Sequence, residues 1–133
     1  MNKKIAVIGA GNVGASLAQY IAEDNYADVT LVDIVEGMPQ GKALDLTEAA
    51  PVRGYNSAVT GTNRYEDIAG AEVVAVTAGL ARKPGMSRED LLNKNAAIIG
   101  DVVDNIARHA PEAYIIIVSN PLDVMTYHAF RKS

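Results

Sequence analysis

Five short apolar runs recur along this chain, with segments of helical periodicity between them. They are KIAVIG (residues 4–9), DVTLVD (28–33), SAVTGT (57–62), EVVAVTAG (72–79) and YIIIVSN (114–120). Each is rich in β-branched residues and largely apolar on both alternating faces, which is how strands buried inside a parallel sheet read. Between them, Val13, Leu17 and Ile21 repeat at helical spacing. Residues 37–50 suit a helix as far as Pro51, and Leu92, Ala96, Ile99, Val103 and Ile106 form a long apolar stripe. A last helix is expected from about Leu122. Parallel strands cannot be joined by tight turns, so each crossover must carry an element that covers a sheet face. The expectation is a doubly wound α/β parallel sheet with helices on both faces, in one domain over residues 1–133.

Composition removes several classes of partner. The formal net charge is −4 with no run of like charges, so there is no basic stripe for nucleic acid. The chain has no cysteine, which excludes disulfides and thiolate metal sites. Residues 1–15 lack the pattern of a signal peptide, and no apolar run nears the ~18 residues that a membrane span needs. A cytoplasmic protein with neither nucleic-acid nor membrane partners is expected. HExxH, GxSxG and GxxxxGK[ST] patterns are all absent, so no metal is expected.

The first run ends in GAGNVG, with Gly9, Gly11 and Gly14 in the G-x-G-x-x-G spacing. In a dinucleotide-binding (Rossmann) sheet of strand order 3-2-1-4-5, the first glycine permits a tight turn and the second lets backbone approach a pyrophosphate. The third lets the helix lie close to the strand, and the helix N-terminus faces the phosphates. The same three glycines can also mark a plain strand-to-helix turn. Asp33 ends the second run 19 residues beyond Gly14, close to the ~20 expected of the acid that binds the adenosine ribose. A carboxylate there would repel a 2′-phosphate, favouring NAD over NADP; a solvated turn aspartate is the other reading.

The fourth run leads into ARKPGMSRED, residues 81–90, which the fold would hang over the crevice where strand order switches. SRED reads as a capping box, putting Arg88 in a first helical turn, while Arg82 precedes Pro84 and Gly85. Two guanidiniums at a cofactor crevice suit a carboxylate-bearing substrate, because the planar fork binds carboxylate bidentately. Otherwise they are solvated loop cations.

Taken together, GAGNVG, LVDIVEGMPQGKALDL, TAGLARKPGMSREDLL and VSNPLDVMTY resemble the N-terminal part of the lactate/malate dehydrogenase family, closest to its lactate-dehydrogenase-like malate dehydrogenases. The resemblance covers essentially the whole chain. It implies an NAD-binding domain whose loop closes over malate or oxaloacetate. Arg82 matches the position that binds the second carboxylate, where lactate dehydrogenases have Gln; Arg88 matches the arginine that polarises the substrate carbonyl. Asn120 matches the residue that hydrogen-bonds the reacting oxygen and borders the nicotinamide, within a turn whose Asn120–Pro121 bond is expected to be cis. The cofactor is assigned Gly9, Ala10, Gly11, Asn12, Val13, Gly14, Asp33, Asn95, Val118, Ser119 and Asn120.

The family's proton-accepting histidine, first-carboxylate arginine and aspartate lie in a later, catalytic part that this chain is expected to lack. His109 and His128 do not match that histidine; His109 suits a helix C-terminus. The chain alone is expected to bind NAD without oxidising malate. Residues 114–118 are expected to present an unpaired apolar edge prone to self-association, and the complete enzyme is expected to be a homodimer or homotetramer. Two alternatives are a free-standing NAD sensor, in which the arginine loop has no purpose, and a lactate or 2-hydroxyacid dehydrogenase, against which Arg82 speaks.

Overall fold

The computed structural model describes residues 3–133. Five strands, β1 (Lys4–Ile8), β2 (Asp28–Val32), β3 (Val59–Thr62), β4 (Val73–Val76) and β5 (Tyr114–Ile117), form one parallel sheet in the order β3-β2-β1-β4-β5. Ile8 is in register with Val32 on one side and Val76 on the other, so the carboxyl ends of the three central strands are level. Helices α1 (Asn12–Glu23) and α2 (Met38–Arg53) cover one face. Helices α3 (Arg88–His109) and α4 (Leu122–Lys132) cover the other, with a single 3₁₀ turn at Tyr65–Ile68. The expected doubly wound sheet and its strand order are both present.

The two cores follow from strand alternation. Ala6 and Ile8 meet Val74, Val76 and the α3 stripe of Ile99, Val103 and Ile106, whereas Val7, Val29 and Leu31 meet α1 and α2. Fully burying an isoleucine of that stripe contributes roughly 1.5–3 kcal/mol.

Three expectations are corrected. The buried face of α1 is Gly14, Ala18, Ile21 and Ala22 with Leu17 partly buried against the same core, so of the expected repeat only Val13, 60% exposed, faces away. At Gly14 the helix lies too close to the turn after β1 for any side chain. The α2 helix runs through Pro51 to Arg53. Proline there removes one hydrogen bond, but the Gly54 amide still reaches Ala50 O at 2.8 Å, and Arg53 pairs bidentately with Glu23 of α1. That pairing also holds the Glu23 carboxyl below its ordinary range.

Third, β5 is not buried on both faces. It is the last strand of the sheet: Ile115 and Ile117 pack on the α3/α4 core, while Tyr114 (79% exposed) and Ile116 face away from it without a covering helix. The strands are also shorter than the apolar runs, because the chain leaves the sheet at Gly9, Asp33 and Thr77 to build loops.

Candidate functional site

Those three loops meet at the carboxyl ends of β1, β2 and β4. Gly9 turns at φ 107°, where a side chain is strained, and a Cβ would lie 2.7 Å from Thr77 Oγ1 and 2.9 Å from Ala78 N. Its amide donates to Val32 O at 2.7 Å, and the Thr77 hydroxyl lies 3.2 Å from both Ile8 O and Gly9 O. The turn is thereby tied to the strands on either side.

Gly11 and Gly14 differ sharply. A Cβ on Gly14 would fall 1.8 Å from Gly9 O, so this position is closed to any side chain. A Cβ on Gly11 would meet nothing within 4 Å; that space belongs to a cavity of about 810 Å³. Gly11 caps α1 with no side-chain hydrogen bond, and the first turn carries no acidic residue. The free amides and positive dipole end of α1 therefore stand uncompensated beside the cavity, as an anion requires.

Asp33 is fixed at the cavity wall. Its Oδ2 accepts from the Ala10 amide at 2.7 Å and its Oδ1 from the Val35 amide at 2.9 Å. Each carboxylate oxygen has a second lone pair, so acceptor capacity remains for a ligand hydroxyl. Asn63, which the sequence reading did not single out, holds the following segment by donating to Asp33 O at 2.7 Å and Val35 O at 3.1 Å.

Ile34, Val35, Met38, Tyr65, Ile98 and Val102 add an apolar wall to the cavity, and Asp101 lines it with them. Burial, followed by the Asp101 and Asp33 carboxylates, pushes the Tyr65 hydroxyl up to about 12 from an ordinary 10.0. Below pH 10 the proton stays on in both folded and unfolded chains. Between pH 10 and 12 the unfolded chain ionises first, so this residue's contribution to stability is lost as pH rises through that window. Urea midpoints measured across the window should fall less steeply for Tyr65→Phe than for wild type; equal slopes would refute this.

The arginine loop is built from both ends. Ser87 Oγ accepts from the Asp90 amide at 3.0 Å and Asp90 Oδ2 from the Ser87 amide at 3.2 Å, the expected capping box, which holds the Asp90 carboxyl below its ordinary range. Arg88 is the first helical residue of α3. Among the described residues Arg82 makes a single hydrogen bond, from Nε to Met86 O at 3.4 Å. Both arginines are exposed, neither forms an ion pair among the described residues, and the cavity wall reaches the loop only as far as Ala81.

Asn95 sits at the loop's root. It is 2% exposed, its Oδ1 accepting from the Leu80 amide at 2.8 Å and its Nδ2 donating to Asn120 O at 2.9 Å. Ser119 is buried and donates to Ala78 O, and the Asn120–Pro121 peptide is cis, as expected. Of the residues assigned to the cofactor, Gly9, Gly11, Asn12, Val13, Gly14 and Asp33 line the cavity. Ala10, Asn95 and Ser119 lie buried behind it, and Val118 and Asn120 are exposed at the end of β5.

His109 occupies the last turn of α3 and His128 Nε2 lies 3.0 Å from Ala96 O between α3 and α4, so neither lines the cavity. No group of ligating side chains that could hold a metal ion occurs among the described residues, and no helix there is long and apolar enough to cross a membrane.

The profile of the lactate/malate dehydrogenase, NAD binding domain matches residues 3–133. The chain belongs to that family. Malate dehydrogenase of Dehalococcoides mccartyi (strain BAV1) is 56% identical over 130 residues, which are 98% of this chain and 42% of that protein. The apo malate dehydrogenase of Picrophilus torridus superimposes with TM-score 0.96 at 46% identity, covering 100% of this chain and 43% of that one. The lactate dehydrogenase of Cryptosporidium parvum, complexed with lactic acid and NAD, gives TM-score 0.93 at 45% identity, covering 100% and 42%. The chain thus spans about 42% of the length of such relatives. Tyr65 and Asp101, which line the cavity, and Asn63, which holds the segment after Asp33, belong to none of the sequence motifs. The exposed Ile34 and Val35, apolar residues directly after a strand-ending acid, were the available signal.

Proposed function

We propose that this domain holds NAD in the 810 Å³ cavity and serves an enzyme that interconverts malate and oxaloacetate. The observation that carries the cofactor part is Asp33, pinned by the Ala10 and Val35 amides beside the uncapped N-terminus of α1. Gly11 leaves room for the pyrophosphate, the α1 amides meet its charge, and Asp33 accepts from the ribose hydroxyls. When bound, NAD supplies the hydride acceptor. Arg88 and Asn120 polarise and orient the reacting oxygen, and Arg82 binds the distal carboxylate. Proton acceptance is assigned to neither histidine, so the 133 residues alone bind cofactor without turnover. A cytoplasmic homodimer or homotetramer belongs to the same reading.

The similarity to a lactate dehydrogenase supports a second reading, turnover of a monocarboxylate hydroxy acid. Arg82, a cation with no ion-pair partner among the described residues, favours the dicarboxylate. A free-standing sensor leaves both loop arginines without a purpose.

Fluorescence titration with NADH and NADPH tests the cofactor assignment. NADH should bind at least about tenfold more tightly, because Asp33 repels a 2′-phosphate, and Asp33→Ala should narrow that ratio while weakening NADH. Equal affinity for the two, or a ratio indifferent to Asp33, contradicts the assignment.

A further inference from the structure

We propose that Asp101 reads the purine edge of the dinucleotide, accepting a hydrogen bond from the exocyclic amine of adenine and so selecting adenine over a 6-oxopurine. The inference rests on the NAD reading above and adds to it a residue that decides which base is accepted.

Beyond Asp33 the chain continues into Ile34, which is 89% exposed, then Val35 and Met38, all large apolar side chains open to solvent on the cavity wall. With Tyr65, Ile98 and Val102 they make an apolar recess beside the ribose acid, suited to the faces of a flat base. Such walls bury any base equally, because every base has a π-face. Discrimination needs a polar group at the base's edge.

Asp33 and Asp101 are the two carboxylates on that cavity wall. Asp33 is engaged by two backbone amides. Asp101 stands on α3, one turn beyond Ile98 and beside Val102. Its backbone oxygen accepts from Asn105 Nδ2, but its carboxylate has neither a hydrogen bond nor an ion pair among the described residues. It lines the same recess as Tyr65 and Asp33. A carboxylate can only accept hydrogen bonds. Adenine offers it an N–H donor at C6, whereas hypoxanthine offers an oxygen, setting acceptor against acceptor.

The test compares NADH with reduced nicotinamide hypoxanthine dinucleotide, which differs at that one edge, by fluorescence titration of the chain. Wild type should bind NADH about tenfold more tightly, a charge-assisted hydrogen bond partly exposed to water. In Asp101→Asn the side-chain amide can donate as well as accept, so the two affinities should converge to within about twofold. Equal affinities in wild type, or the wild-type ratio retained in Asp101→Asn, would overturn the role of Asp101 while leaving the NAD reading intact. Failure of wild type to bind either dinucleotide would overturn both.

Discussion

Gly14→Ala is expected to destabilise the domain by about 3 kcal/mol or more, the upper range for overpacking, and to abolish NADH binding with it. The added Cβ would stand 1.8 Å from Gly9 O and 2.9 Å from both Gly9 C and Thr77 Oγ1. A flexible side-chain tip could move aside; a backbone carbonyl between a strand and a helix cannot. Relief requires α1 to lift off the sheet, which breaks the packing of Ala18, Ile21 and Ala22 on Val7 and Leu31. Gly11→Ala is the matching control. Its Cβ meets nothing and its φ of −69° is ordinary, so it should cost at most about 1 kcal/mol at this N-cap position. It should still weaken NADH about tenfold or more by standing where the pyrophosphate approaches. Urea midpoints and NADH titrations on both variants decide the matter. A stable Gly14→Ala would sink the packing argument, and an unchanged NADH affinity in Gly11→Ala would reduce the turn to a plain strand-to-helix connection.

In a complete enzyme carrying this domain, Arg82→Gln is expected to shift the ratio of kcat/KM for oxaloacetate over pyruvate at least about tenfold toward pyruvate. Both substrates present the carboxylate and carbonyl that other groups address; oxaloacetate alone brings a second carboxylate. Arg82 is exposed and holds only one weak contact, at 3.4 Å to Met86 O, so its fork is available to pair bidentately without first breaking an ion pair. Removing a charge-assisted pair costs about 1.5–3 kcal/mol, and pyruvate has no such pair to lose. Steady-state kinetics with both substrates measure this directly. An unmoved ratio would mean that Arg82 does not read the substrate.

The sheet was legible because its signal is repeated. Five β-branched runs alternating with helical stripes admit few arrangements, and the glycine turn marks where the first helix begins. The failures have a common cause, in that hydrophobic periodicity states what a residue tolerates but not what stands opposite it. Val13 fits a helical stripe and yet borders the cavity, while Tyr114 and Ile116 are as apolar as the buried strands and face no helix. Pro51 reads as a stop, but the last turn is held by Gly54 and Arg53 instead. In the site, Gly9 to Gly14 and Asp33 are near in sequence or fall at a characteristic spacing. Tyr65 and Asp101 come from separate elements, and only folding brings them to the same cavity wall. The sequence also does not disclose that the amide of Asn95 is fully engaged with backbone.

That engagement divides the region of the arginine loop into a fixed part and an exchangeable one. One buried side chain grips Leu80 and Asn120 together, so the start of the arginine loop and the Ser119–Asn120–Pro121 corner share a single anchor. At the loop's far end the Ser87–Asp90 box fixes its re-entry into α3. Residues 81–86 are a cassette between two anchored ends, and their identities can change without disturbing the groups behind them. On the function proposed above, rewriting the cassette would change which hydroxy acid is accepted and leave the cofactor's seat untouched.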